Sequence, residues 1–191
     1  MKKEILLLLT DRFADWESAY AAMGINSTGE YTVKTIAIDK APKNTIGGMR
    51  VEVDCEIGDY QNFENSAVII MPGGFSWQEN VYAEITEFLK KAQTFSVPIA
   101  AICGATIFLA KNGFLDNVKH TGDEFEYFEN LEGYNGKENF VSRQVIADKG
   151  FITANETAAV EFAYEIFKAL KLYPDEDIEE WFDKFQNGMF H

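Results

Sequence analysis

Short runs in which every residue is apolar recur along this chain, with helically spaced stretches between them, and no other feature limits its fold so narrowly. Ile5 to Leu9, Ala67 to Met71 and Ile99 to Ile102 contain no polar side chain. A strand with one wet face alternates apolar and polar residues, whereas a strand apolar throughout is buried on both faces, as in a parallel sheet between two helical layers. The expected fold class is therefore α/β: doubly wound, a mostly parallel sheet with helices on both faces.

In chain order, Glu4 to Thr10 reads as a strand, Asp15 to Met23 as a helix ending near Gly24, and Tyr31 to Ile38 as a second strand. Ile46-Gly47-Gly48-Met49 reads as a hairpin turn, with Arg50 to Asp54 as its return strand. Tyr82 to Thr94 has helical spacing, and Ala105 to Asn112 is a helix stopped by Gly113. Gln144 to Ala147 and Phe151 to Thr153 flank Asp148-Lys149-Gly150, a hairpin expected at the sheet edge. Ala158 to Leu172 and Asp177 to Asn187 are the last helices. Asn117 to Asn139, polar and aromatic, reads as an insertion near the active end, and its Tyr127, Phe128 and Tyr134, with Phe140, cover either the site or a dimer contact. The 191 residues are expected to form a single domain, 1–191.

The strand that ends at Ile102 runs straight into a helix, with Cys103 at the corner. A nucleophile on such an elbow needs small residues around it, because its backbone is strained and neighbouring chains pass close; Ala101, Gly104 and Ala105 supply them. The helix N-terminus favours a thiolate, so an acidic thiol is expected. A small buried Cys closing a core strand is the competing reading. Met71-Pro72-Gly73-Gly74 ends a strand at the same sheet edge, where ligands bind in folds of this class. The N–H groups of Gly74 and Gly104 are candidates for an oxyanion site, although Pro-Gly-Gly is also an ordinary strand-ending turn. Phe13, Trp16, Phe75 and Trp77 fall near that edge as candidate pocket walls.

Composition excludes more than it selects. A net charge of −14 leaves no basic field for a phosphate backbone, so no nucleic-acid partner is expected. No stretch approaches the length of a membrane span, and the apolar run after Lys2 and Lys3 breaks at Thr10-Asp11 without a cleavage site. With Cys55 and Cys103 the only cysteines, no disulfide framework is expected and the cytoplasm is the natural compartment. Cys55 is assigned no role. No metal or cofactor is expected.

Taken jointly, Ala100 to Ala105 around Cys103, Met71-Pro72-Gly73-Gly74, Phe13-Ala14-Asp15-Trp16-Glu17 and Phe151-Ile152-Thr153-Ala154 leading to Glu161-Phe162-Ala163 resemble the ThiJ/PfpI superfamily over nearly the whole chain. That group has the class I glutamine amidotransferase-like, flavodoxin-like fold and includes the parkinsonism-associated redox chaperone and glyoxalase-like proteins. The resemblance implies that Cys103 is the elbow cysteine, that Glu17 touches its sulfur, and that the backbone of Gly74 and Gly104 is the oxyanion site. It also implies a pocket histidine, for which His120 is the candidate because His191 is the terminal residue, and a homodimer of unmarked interface. Glu17 beside a thiolate should be protonated and donate to it; a solvated first-turn carboxylate is the plainer alternative. Asp15 is read as a helix cap.

Two departures narrow the chemistry. Thr153-Ala154-Asn155-Glu156-Thr157 lacks the His-x-Glu pair of the amidotransferases, and Gly104 stands where PfpI-type peptidases place a histidine. Two functions lead: a cofactor-free cysteine-dependent hydrolase or lyase acting on a small carbonyl or amide substrate, or a redox or stress-response module in which Cys103 is oxidised with little turnover. Glutamine amidotransferase and PfpI-type protease rank below them, and a purely structural or partner-binding role, which would leave the elbow strained without return, ranks last.

Overall fold

The computed structural model describes residues 2–79 and 82–189. Its main sheet has seven strands in the order β5-β2-β1-β6-β7-β9-β8. These are β1 (Lys3–Leu8), β2 (Tyr31–Ala37), β5 (Cys55–Glu56), β6 (Ser66–Met71), β7 (Ile99–Ile102), β8 (Val145–Asp148) and β9 (Phe151–Ala154). All neighbours pair in parallel except β8 and β9, the expected edge hairpin. A separate two-stranded ribbon, β3 (Lys43–Asn44) with β4 (Arg50–Val51), carries the Ile46 to Met49 turn; its return strand ends sooner than the expected Asp54. Residues beyond it lead to β5, which pairs with β2 and adds an edge strand that the sequence reading did not mark.

The apolar runs are buried on both faces because alternate residues feed opposite cores. Leu6, Leu8, Ile69, Met71, Ile99 and Ala101 join one cluster, with residues of α3 (Ala83–Thr94) and α4 (Gly104–Lys111). Ile5, Val68, Ile70, Ala100 and Ile102 join the other, with residues of α1 (Asp15–Ser27), α6 (Ala159–Leu170) and α7 (Asp175–Asn187). Close approach sets the second layer: a Cβ at Gly24 in α1 would lie 2.3 Å from the Phe167 ring of α6. Two short helices, α2 (Ser76–Glu79) and α5 (Glu126–Glu129), lie in the connections after β6 and α4. Among the described residues no helix is long and apolar enough to cross a membrane.

Register places the working edge. Met71 at the end of β6 stands opposite Ala101 of β7, and Ile102 stands opposite Ala154 of β9. The segments leaving β6, β7 and β9 therefore emerge together at one end of the sheet.

Candidate active site

Cys103 sits at the N-terminus of α4 with φ 55° and ψ −132°, a conformation that costs a non-glycine residue on the order of 1–3 kcal/mol and persists only when its surroundings hold it. They do so through main-chain bonds. Cys103 N–H donates to Ala154 O at 3.0 Å, and its carbonyl accepts from Thr106 N at 2.9 Å and Thr106 Oγ1 at 2.6 Å.

The glycines are required by closeness. A Cβ on Gly73 would lie 2.6 Å from Cys103 Cβ, 2.9 Å from its sulfur and 2.8 Å from Glu17 Oε2; one on Gly104 would lie 2.7 Å from Gly74 O. Gly74 adopts φ 134°, and a side chain there would strike Arg12 O at 2.6 Å. Pro72 to Gly74 and the elbow are thus packed main chain to main chain, with Gly74, Gly104, Cys103 and Glu17 all lining a cavity of about 500 Å³.

Glu17, in the first turn of α1, is fully buried. Its Oε2 accepts the Gly73 N–H at 2.6 Å. Oε1 makes no hydrogen bond of regular geometry, and the Cys103 thiol is the side-chain group close enough to favour its charged form. Burial outweighs both helps, and with Asp123 and Glu156 nearby it raises the carboxyl to about 7. Asp123, from the segment between α4 and α5, also reaches the thiol; its Oδ1 accepts the Glu156 N–H at 2.7 Å, and burial raises its carboxyl above the usual range.

These neighbours overturn the acidic thiol expected from the helix terminus alone. Burial first, then the charges of Glu17 and Asp123, push the Cys103 thiol up, against a smaller opposing effect of the Gly104 N–H. One backbone donor cannot offset desolvation beside two carboxylates.

His120 is not brought to the sulfur. It is fully buried among Phe128, Tyr134 and Phe140 and does not line the cavity. Its Nδ1 lies 2.7 Å from Val118 O and its Nε2 2.7 Å from Tyr134 Oη. A carbonyl only accepts, so Nδ1 carries the proton and Nε2 accepts from the tyrosine. Both nitrogens are engaged, and burial lowers the pKa of the ring. His191 falls outside the described residues. Asp123, which the sequence reading passed over, takes the place beside the thiol that His120 was expected to fill.

The aromatic candidates divide. Trp16 and Phe75 line the cavity, joined by Tyr127. Trp77 is instead a core residue whose Nε1–H donates to Pro72 O at 2.8 Å, and Phe13 is buried, its backbone bridging Thr45 and Gly74. Asp15 caps nothing; its Oδ2 accepts from Thr45 Oγ1 at 2.8 Å and ties the ribbon to α1. Among the described residues one group has donors grouped for a metal: Cys103 Sγ and carboxylate oxygens of Asp123 and Glu156, all within 4.8 Å of one another. No sequence spacing announces it, because the three come from separate segments.

A family model described as DJ-1/PfpI family matches residues 3–169. A Bacillus subtilis protein named uncharacterized protease YdeA is 38% identical over 192 aligned positions, which cover 100% of this chain and 94% of that protein. The crystal structure of a thiJ/pfpI family protein from Bacillus anthracis superposes with a TM-score of 0.93 at 27% identity, covering 99% of this chain and 92% of that one. The DJ-1 superfamily protein Atu0886 from Agrobacterium tumefaciens gives 0.88 at 28% identity, covering 97% and 100%.

Proposed function

This chain belongs to the DJ-1/PfpI family, and we propose that within it the protein is a cysteine-dependent hydrolase or lyase acting on a small carbonyl or amide compound. The observation that carries the reading is a strained cysteine in a cavity of about 500 Å³, flanked by two carboxyls raised by burial. A group with a pKa near 7 can both take and return a proton at neutral pH, which is what acid–base chemistry requires.

Attack proceeds as a carboxylate, Asp123 or Glu17, takes the thiol proton. The sulfur forms a bond to the carbonyl carbon, and the π-pair moves to oxygen, where the Gly74 and Gly104 N–H groups hold the charge. With an amide, the oxyanion pair re-forms the carbonyl as the C–N bond breaks and the amine leaves with that proton. With an α-oxoaldehyde, the proton goes to the oxygen and a carboxylate then moves the C1 proton to C2, so that the sulfur-bound hydroxy ketone becomes a hydroxy thioester with no net oxidation. Water then hydrolyses the thioester, releasing the acid and restoring the thiol. The size of the cavity suits a small compound better than a peptide strand, and among the described residues no imidazole lines it. The word protease in the name of the Bacillus subtilis relative makes a peptide substrate the control to run beside the small ones.

Purified protein should turn over methylglyoxal or a small amide faster than buffer, Cys103→Ser should reduce the rate to background, and Asp123→Asn should lower it ~10²–10⁴-fold. Failure of the wild type on every small carbonyl and amide overturns the enzyme reading. The raised carboxyl of Glu17 favours a second one, in which Cys103 is oxidised by peroxide and a protonated Glu17 donates to the resulting sulfinate. Its mark is a stable mass increase of two oxygens on Cys103 at low peroxide, lost in Glu17→Ala.

A further inference from the structure

The cavity around Cys103 has walls of one sign. Glu17, Asp123, Glu124 and Glu156 line it, and among the described residues no Lys, Arg or His does. In a chain with 31 acidic and 17 basic side chains, an acidic surface is ordinary. An acidic reaction centre is not, because thiolate and oxyanion would both form next to carboxylates whose repulsion they must overcome. Among the described residues none of the four is in an ion pair, and the fully buried Glu17 has one carboxylate oxygen without a hydrogen-bond partner.

The remaining wall is aromatic. Trp16, Phe75 and Tyr127 line the cavity while 49%, 57% and 57% exposed, a large amount of ring face left in water beside concentrated negative charge. Rings and carboxylates together are the surroundings in which organic cations are held, the ring faces by their quadrupole and the carboxylates by charge. Of the three rings, Phe75 is already engaged by a cation of the chain, the Arg12 guanidinium 5.7 Å from its centroid, which leaves Trp16 and Tyr127 for a ligand.

We propose that the substrate of this site carries an ammonium or guanidinium group a few bonds from its reactive carbonyl, held by Asp123, Glu124 and Glu156 against the Trp16 and Tyr127 rings. The proposal rests on the reading of Cys103 as a nucleophile toward small carbonyl compounds and names the class among them. The sulfur and the carboxylate oxygens of Asp123 and Glu156 lie within 4.8 Å of one another, so a cation bound there stands next to the sulfur. It supplies the positive charge that the walls lack, and the thiol then ionises more readily with substrate bound than without it. Selection and activation come from the same charge.

The test uses three methanethiosulfonate reagents on the full chain with a chelator present: a trimethylammonium ethyl, a sulfonatoethyl and a neutral methyl compound. In each case a disulfide forms to the reagent's thioalkyl group, methanesulfinate leaves, and the thiol proton passes to buffer. Rates at Cys103 and Cys55, read by peptide mass, are divided by those of a small free thiol. The corrected cation-to-anion ratio at Cys103 should exceed that at Cys55 by about tenfold or more. The double variant Glu124→Gln, Glu156→Gln, at two exposed residues, should bring it down to the Cys55 value and leave Cys55 unchanged. Equal ratios at the two cysteines, or a Cys103 ratio unmoved by the substitutions, overturn the proposal. None of these readings needs turnover, so a protein without enzymatic activity fails the parent reading without deciding this one. Where turnover is found, equal kcat/KM for a trimethylammonium-bearing aldehyde and its neutral isostere overturns the substrate class.

Discussion

At the scale of single residues, Glu17 shows what burial does to a carboxyl that has one good donor and one oxygen without a partner. The native state keeps its proton up to about pH 7, while the unfolded chain releases it near 4.5. Between those values the native state binds the extra proton, so stability falls as pH rises. The contribution is complete below about pH 4.5 and lost as pH passes 7, and the whole effect is about 3 kcal/mol. Glu17→Gln keeps the shape without the charge, so its stability relative to wild type should improve by about that amount between pH 4.5 and 7.5. Urea unfolding at both pH values measures it; a constant difference would show that Glu17 titrates normally. The sequence led to Cys103, Gly74 and Gly104 because elbow and turn are local patterns, whereas Glu17 came from the family resemblance, since a first-turn acid by itself reads as a solvated carboxylate. His120 misled because residue type alone does not report that Val118 O and the Tyr134 hydroxyl already engage both nitrogens. Asp123 was missed for the converse reason: it reaches Cys103 only through the path of the segment after α4, which no short-range spacing encodes.

At the scale of elements, legibility followed burial on both faces. β1, β6 and β7 could be read as continuous apolar runs, and α6 as a sustained apolar stripe. β5, two residues at the sheet edge, was not readable, since so short a segment has no period. The packing of α1 on α6 was equally hidden, although it depends on one residue. Gly24 occupies the interior of α1, where glycine is ordinarily unfavourable relative to alanine by about 1 kcal/mol. Here the order reverses, because the Phe167 ring fills the place of the missing Cβ. Gly24→Ala should therefore destabilise the protein by about 1–3 kcal/mol in spite of its better helix propensity. Combined with Phe167→Leu, which gives up the ring, the alanine should cost less than it does alone. Chemical denaturation of the four proteins of this cycle checks it, and additive effects would show that the two residues do not compete for one space.

At the scale of the whole molecule, the two hydrophobic layers share a single sheet, and neither is complete without it. Alternate residues of β1, β6 and β7 project into opposite clusters, so losing the strands removes one wall of each core at once. Single-domain behaviour is the expected outcome of that sharing, and tryptophans stand on both sides to test it. Trp77 is buried in the cluster packed by α3 and α4, and Trp181 packs against the one formed with α1, α6 and α7. With Trp16→Phe as background, adding Trp77→Phe or Trp181→Phe leaves one reporter on each side of the sheet. Within each variant, the midpoint from tryptophan emission should coincide with that from backbone circular dichroism, whichever face carries the reporter. An emission transition that precedes the loss of backbone signal on one face would show that its helical layer unfolds alone, and the molecule would then consist of two cooperative units. The homodimer is a proposal that the same titrations address: a folded state held by self-association has a midpoint that rises with protein concentration, and a monomer does not. Over a hundredfold range of concentration the midpoint should increase, and a constant value would rule out a dimer coupled to folding.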